Sequence, residues 1–275
     1  MNEDSVNCSE EQVARCWDES ASSWTEQVRK GFDIYREHFN NPAFFQFLGS
    51  LRGKKVLDAG CGEGYNTRIM ARMGAKVTAV DISARLIDMA QREERRDPLG
   101  IQYLVTSFTD LSTFEDGSFD TVVSTMALDA SPNLGKAIGE FFRVLRSGGE
   151  LIFSIQHPCF VTKGLGWLKD ETAKDSKLTV SHYFDKRPQL EEWKFSYALP
   201  NTRPFVTPEF YRTLSRIFKT LISAGFVLKD VEEPRPSPEA CKKFPKMEKW
   251  RKHAALFLYI RCQKPSLKEK RGRTR

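Results

Sequence analysis

The residues best suited to chemistry lie between Asp58 and Asp81. Three glycines, Gly60, Gly62 and Gly64, alternate with Cys61 and Glu63 directly after the apolar pair Val56-Leu57. Glycines so placed permit positive φ and let a ligand approach the backbone closely. Val56-Leu57 reads as a buried strand, residues 67–75 as a helix ending near Gly74, and residues 75–80 as a second strand that carries Asp81 at its carboxyl end. Open α/β sheets bind ligands beyond the carboxyl ends of their strands, and a carboxylate there can accept both hydroxyls of a ribose. The unit is half of a nucleoside site, and its ligand carries a free ribose.

Spacing and charge narrow the ligand. The dinucleotide fingerprint needs two residues between its last glycines so that a helix N-terminus faces a pyrophosphate, and Gly62-Glu63-Gly64 has one. Asp58 before the loop and Glu63 within it would repel a pyrophosphate but suit a ligand with an ammonium group and a sulfonium. The segment from Val56 to Gly64 with Asp81 resembles the first motif of class I S-adenosylmethionine-dependent methyltransferases. Ser118 to Asp129, then Phe141 to Ile155, resemble the fourth strand, following helix and fifth strand of the ubiquinone-biosynthesis-type branch, also called methyltransferase type 11. Two other readings stand beside it: a nicotinamide oxidoreductase, which the glycine spacing disfavours, and a methyltransferase-like subunit that binds cofactor without catalysis.

The resemblance implies an α/β fold, a Rossmann-like doubly wound seven-stranded sheet with an antiparallel last strand. It also implies a helical N-terminal cap and a substrate-roof insertion after the fifth strand. S-adenosyl-L-methionine is then the cofactor, held by Asp58, Gly60, Cys61, Gly62, Gly64, Asp81, Ile82, Ser107, Phe108 and Thr125. Many relatives have an aspartate after the third strand for the adenine amino group, where this chain has Thr106-Ser107-Phe108. Ser107 can accept that hydrogen bond, Phe108 can face the ring, and Asp110 is a second candidate. Asp129 stands where relatives often have histidine, and either acts as a base, orients a substrate hydroxyl, or caps the helix after Ser131-Pro132. His157, after the fifth strand, either takes a proton from the acceptor or hydrogen-bonds the loop and shapes the pocket floor. The Asn/Asp-Pro-Pro-aromatic motif of amino-directed nucleic-acid methyltransferases is absent after the fourth strand, which counts against adenine-N6 modification. No His and carboxylate cluster has ligand spacing, so no metal is implied.

Length, composition and charge set the frame. The 275 residues suffice for one large α/β domain and an elaboration. No stretch has the roughly 18 apolar residues of a membrane span, and the acidic start MNEDSVNCSEEQ is unlike a signal peptide, so the expected location is cytoplasmic. The six cysteines show no C-x-x-C spacing, and neither a zinc site nor a disulfide framework is expected; Cys61 reads as a small residue in a tight turn. Most of the net charge of +7 falls after Gln263, so residues 264–275 read as a solvated, disordered basic tail. The alternative to a small-molecule enzyme is an RNA methyltransferase aided by that tail, the less favoured reading because no nucleic-acid module accompanies it.

Three regions must position the site. Residues 1 to about 50, rich in aromatics, read as a helical cap in which Pro42 begins a helix. Trp24, Arg29 and Tyr35 are lid candidates there, with core packing for Trp24 and surface hydrogen bonds for the other two as the alternatives. Residues 51–263 form the methyltransferase domain, and 157–207 are the substrate roof, with two strand-like aromatic runs, KLTVSHYFD and EEWKFSYAL. His182, Tyr183 and Tyr211 are substrate-facing candidates, whereas His38 and His253 read as structural. Residues 207–226 read as a helix capped by Thr207 with Pro208 at its first position and Gly225 ending it, and the last two strands follow. The expected partner is a small-molecule acceptor, the expected state a monomer or homodimer.

Overall fold

The computed structural model describes residues 8–168 and 176–266. Seven strands form one sheet: β1 (Lys55–Ala59), β2 (Lys76–Asp81), β3 (Gln102–Val105), β4 (Phe119–Thr125), β5 (Leu145–Gln156), β10 (Val227–Glu232) and β11 (Phe257–Gln263). Their order is β10-β11-β5-β4-β1-β2-β3, and β11 runs antiparallel between β5 and β10. The direction of winding reverses between β1 and β4, the place where such sheets bind ligands. Helices α3 (Tyr65–Arg72), α4 (Ala84–Arg96), α5 (Leu134–Val144) and α6 (Leu214–Ser223) cover the faces.

Alternation along the strands builds two cores. Leu57, Val122, Phe153 and Ile260 join Ile138 and Phe141 of α5 and Ile217 of α6 on one face. Their neighbours Val56, Val123, Ile152 and Tyr259 join Met70 of α3 and Ile87 of α4 on the other. Successive side chains of a strand point to opposite faces, so a sheet buried on both sides needs apolar residues without alternation. That is why the central strands read as continuous apolar runs.

The N-terminal part is helical: α1 (Glu10–Arg29), a π-helical turn over Arg36–Asn40, and α2 (Asn41–Leu48) with Pro42 in its first turn. Between β5 and α6 lie two short antiparallel pairs, β6 (Gly166–Leu168) with β7 (Lys177–Thr179), and β8 (Gln189–Trp193) with β9 (Phe205–Glu209). The short helices α7 (Pro238–Lys243) and α8 (Glu248–Lys252) lie between β10 and β11. The two aromatic runs of the roof therefore do not pair with each other. Residues 205–209, in which Thr207-Pro208 reads as a helix start, are instead the strand β9, and α6 is capped six residues later by Thr213, whose side chain accepts from Arg216 N at 3.3 Å. Proline is tolerated at that place because β9 is an edge strand, where a missing N–H breaks no ladder.

A polar stripe on α1 covers the free edge of β9. Ser20 Oγ donates to Val206 O at 2.8 Å and accepts from Val206 N at 2.9 Å, and Gln27 Nε2 donates to Arg203 O at 3.0 Å. Gln27 Oε1 accepts from Phe195 N at 3.1 Å. Val28, Phe195 and Phe205 close an apolar cluster beneath, so cap and roof form one hood. Asp18 ties the hood to the sheet, its Oδ1 accepting from Ser83 Oγ (2.6 Å) and Arg85 N (3.1 Å) at the start of α4.

At the C-terminal end, Lys264 departs from the expected tail. Its Nζ donates to the carbonyls of Phe142 (2.7 Å), Arg143 (3.3 Å) and Leu145 (2.6 Å), closing the end of α5, and its backbone pairs with Gly148 and Gly149. Four carbonyls are left unpaired at a helix C-terminus, and an ammonium there satisfies them while opposing the negative end of the dipole. Residues 264–266 thus belong to the body, and the rest of the tail lies outside the described residues. Among those described, no helix is long and apolar enough to cross a membrane.

Candidate active site

Beyond the carboxyl ends of the central strands and under the hood lies a cavity of about 750 Å³, within the roughly 300–1,000 Å³ range of small-molecule sites. Gly60 (φ +82°) and Gly62 (φ +56°) form its glycine edge; a Cβ on Gly60 would lie 2.3 Å from Ala127 Cβ, and one on Gly62 would lie 3.4 Å from the Trp24 ring. Gly60 N and Cys61 N both donate to Val80 O, at 2.9 and 3.0 Å, locking the loop against β2. Asp81 holds the two turns together, accepting from Gly62 N (2.8 Å) on Oδ2 and Ser83 N (2.9 Å) on Oδ1. A carboxylate oxygen accepts two bonds, so each keeps capacity toward a ligand. Burial raises the Asp81 carboxyl above the usual range, and the N–H groups of Ser83 and Gly62 pull it back.

Asp58, Cys61, Ile82, Ser107, Phe108 and Thr125 also line this cavity. Asp58 accepts from Thr67 Oγ1 at 2.5 Å, and burial pushes its carboxyl up to about 7. Burial beside Asp81 and Asp58 keeps the Cys61 thiol well above its ordinary value, so it is protonated and unreactive. Met126, the residue after β4, holds φ at +54°, a strained conformation of the kind that clusters at functional sites. Asp110 turns away, accepting from Ser112 N. Gly64 (φ +85°) is off the wall as well: a Cβ there would strike Tyr103 Oη at 2.6 Å, so its glycine serves the packing of loop against α4 and β3.

The hood contributes Trp24 and Tyr35 to the wall, but not Arg29. Arg29 lies outside, 40 % exposed, paired with Glu63 (3.2 Å) and Glu93 (3.3 Å). The cation that the N-terminal helices turn inward is Arg36, which sequence reasoning missed. Its guanidinium stacks 4.4 Å from the Tyr65 ring centre and sits 3.5 Å from Glu63. The π-helical turn that directs it has no obvious sequence signal. Five buried polar atoms of residues on this wall have no hydrogen-bond partner: Arg36 Nε, Asn41 Oδ1, Glu63 Oε1, Thr125 Oγ1 and Ser131 Oγ. Buried polar groups left so exact a free-energy cost unless a ligand satisfies them.

The histidine reading is corrected. His157 is buried and does not line the cavity. Its Nε2 lies 2.7 Å from Glu233 Oε1 and its Nδ1 accepts from Cys159 N at 3.2 Å, so both ring nitrogens are used in holding the loop after β5. Burial lowers its pKa despite Glu233, which suits a neutral ring. Strand alternation explains the placement, since Gln156 takes the cavity side. His182, Tyr183 and Tyr211 are corrected too: they do not line the main cavity but border an adjoining space of about 20 Å³, room for little more than one water, which shares Asp129, Gln156 and Glu209 with it. Tyr183 Oη accepts from Leu214 N at the start of α6, and Tyr211 Oη donates to Glu191 at 2.7 Å.

Asp129 does line the main cavity, and the cap of α5 is Asn133 rather than Asp129. Asp129 Oδ2 accepts from Gln156 N at 3.0 Å, and its carbonyl accepts from Phe210 N at 2.8 Å, which brings the end of β9 beside it. Glu209 of β9 faces the same cavity. Burial and the neighbouring Asp129 and Glu191 push Glu209 up to about 8, and burial puts Asp129 at about 6. Glu209 was not legible because its strand reads as a helix start.

Residues 57–153 match the methyltransferase domain family. Over 120 residues the chain is 35 % identical to a ubiquinone biosynthesis O-methyltransferase of Xanthomonas euvesicatoria, covering 42 % of this chain and 50 % of that one. The chain thus spans half the length of that relative. A Listeria monocytogenes crystal structure described as a candidate S-adenosylmethionine-dependent methyltransferase superposes with a TM-score of 0.64 and 26 % identity, over 90 % of this chain and 99 % of the other. Residues 57–153 are a methyltransferase domain, and the chain is similar to the class I S-adenosylmethionine-dependent methyltransferases. A Mesorhizobium loti S-adenosylmethionine-dependent methyltransferase shares the fold, with a TM-score of 0.65 and 23 % identity over 81 % of this chain and 96 % of that one. S-adenosylmethionine is the cofactor of this methyltransferase. The wall fits it: a glycine loop in which a Cβ on Gly60 would collide, a ribose-competent carboxylate, and a cationic and an anionic side chain, Arg36 and Glu63, each with a buried atom that lacks a hydrogen bond, for an amino acid end.

Proposed function

We propose that this methyltransferase acts on a small-molecule acceptor bound in the same cavity as the cofactor. The observation that carries this reading is the continuity of the wall: one cavity runs from Gly60, Gly62 and Asp81 to Trp167, Phe195 and Glu209 under the hood. The name of the ubiquinone biosynthesis relative, a small-molecule methyltransferase, supports the same class of acceptor. Bound cofactor supplies an electrophilic methyl group on a positively charged sulfur. Asp81 takes the ribose hydroxyls, Phe108 and Ser107 border the adenine, and Arg36 with Glu63 and Asp58 holds the charged amino acid end. Residues 8–50, 157–168 and 176–207 act together as the lid, excluding water and holding the acceptor near attack distance, where effective molarity does most of the catalytic work.

Calorimetry with S-adenosylhomocysteine tests the cofactor half. Asp81→Ala removes charge-assisted bonds and is expected to weaken binding by about 3 kcal/mol; unchanged affinity would defeat the assignment. Transfer of labelled methyl into a metabolite extract, with total RNA assayed in parallel, tests the acceptor class. Label entering RNA alone would refute the small-molecule reading.

A further inference from the structure

We propose that the acceptor presents an amino nitrogen to the paired carboxyl groups of Asp129 and Glu209. This inference rests on the methyl-transfer reading above and names its substrate class.

The two carboxyls come from different elements. Asp129 follows β4, Glu209 ends β9, and the Phe210 N to Asp129 O bond joins them. Of the Asp129 oxygens, Oδ2 is held by Gln156 N. Glu209 is approached by the Thr207 hydroxyl, which itself accepts from Trp193 Nε1 at 2.8 Å. The basic group beside them, Arg212, favours the ionised form of both, but its guanidinium hydrogens go to the carbonyls of Leu128, Phe210 and Ser131 and not to either carboxyl. The other titratable neighbours, Glu191 and Tyr211, bond each other. The pair therefore has surplus acceptor capacity facing the cavity.

The cations of the wall have their contacts away from the pair. Lys194 Nζ donates to Pro200 O at 2.8 Å, Lys249 Nζ stands 4.7 Å over the Trp167 ring, and Arg36 accompanies Glu63. Asp33 adds a further carboxyl to the hood side. An acceptor bearing a carboxylate or phosphate would meet repulsion here, whereas an amine brings N–H donors and, when protonated, charge of the right sign. Tyr35 and Trp193 also line the wall, and aromatic faces attract such a cation further, whereas the Trp167 and Trp250 rings already face Lys249. A hydroxyl offers one donor to two carboxyls; an amine offers two or three.

The pair also balances the reaction. The lone pair of the neutral amine forms the N–CH3 bond while the S–CH3 bond breaks and its electron pair stays on sulfur. The N–H proton of the resulting ammonium passes to a carboxylate of the pair, and from there to solvent. The raised carboxyls of Asp129 and Glu209 bring their proton affinity toward neutrality, which suits a group that must receive a proton and release it.

The test uses the full chain. Wild type and the near-isosteric variants Asp129→Asn and Glu209→Gln are first checked for S-adenosylhomocysteine binding, which should be unchanged. With S-adenosylhomocysteine saturating, calorimetry compares tryptamine, tryptophol and indole-3-acetate. Tryptamine should bind at least tenfold tighter than the other two, and each variant should erase that preference. Equal binding, absence of tryptamine binding, or a preference that survives both substitutions overturns the proposal. In the labelled-methyl assay on a metabolite extract, the product should be retained on a cation exchanger. Neutral or anionic product overturns the amine class while leaving small-molecule methyl transfer intact. Failure to bind S-adenosylhomocysteine, or label in RNA alone, overturns both.

Discussion

At His157 chemistry gives way to architecture. One ring nitrogen faces Glu233 at 2.7 Å and the other accepts from Cys159 N at 3.2 Å, which leaves neither for an acceptor. His157→Gln is therefore expected to leave turnover and S-adenosylhomocysteine affinity within about twofold while lowering stability by about 1–2 kcal/mol, the worth of a buried hydrogen bond or two. Denaturant unfolding with parallel kinetics measures both. A loss of about a hundredfold in turnover at unchanged stability would restore the general-base role. A histidine after a central strand is a sound functional signal, but which side of the strand end it takes depends on where β5 stops. The Gln156-to-Asp129 bond settles that through contacts distant in sequence.

Among the elements, α5 and β9 show how local signals mislead and long-range ones decide. Thr207-Pro208 and Thr213 both carry helix-start chemistry, and the second prevails because residues 205–209 find a partner strand in β8 and a polar helix face in α1. The polar stripe Ser20, Ser23 and Gln27 of α1 is buried. Lys264 is the comparable case at the other end of the chain. Replacing it by methionine is expected to cost about 1–2 kcal/mol by leaving carbonyls at the end of α5 without their charged donor. Removal of residues 267–275 should leave stability and cofactor binding unchanged. Thermal unfolding of the two variants checks this, and equal losses would show that the segment after Ser266 also supports the body.

For the molecule as a whole, the buried acids set the response to pH. Burial raises Asp33 and Asp129 to about 6, Asp58 to about 7 and Glu209 to about 8, from ordinary values of 3.8 or 4.5. The folded chain then binds more protons than the unfolded one across that window, so stability present at lower pH is lost as pH rises through these values. His157 acts oppositely: its pKa is lowered on folding, and its contribution fades as pH falls below its unfolded value of 6.5. His38, lowered by burial as well, acts with it, and the four acids outweigh the two histidines. The melting temperature of the cofactor-free protein is therefore expected to fall between about pH 6 and pH 9, with Glu209→Gln flattening the upper part of the decline. Saturating S-adenosylhomocysteine, whose ammonium neutralises nearby acid, should reduce the slope. A melting temperature that rises over this range would show that these carboxyls ionise freely in the fold.

The sequence by itself determined the sheet, its winding and the cofactor. Those depend on local rules: apolar strands, glycines where only φ above zero fits, and an acid at the end of β2. Val56 to Gly64 and Asp81 carry that information within one short stretch. The tertiary structure alone decided the acceptor side of the cavity. Arg36 enters through a π-helical turn, Glu209 through a strand that reads as a helix start, and Arg29, Tyr183 and Tyr211 turn away to ion pairs and helix ends. Each of these outcomes rests on which distant segment satisfies a backbone or buries a charge, and no local pattern of residues states that in advance.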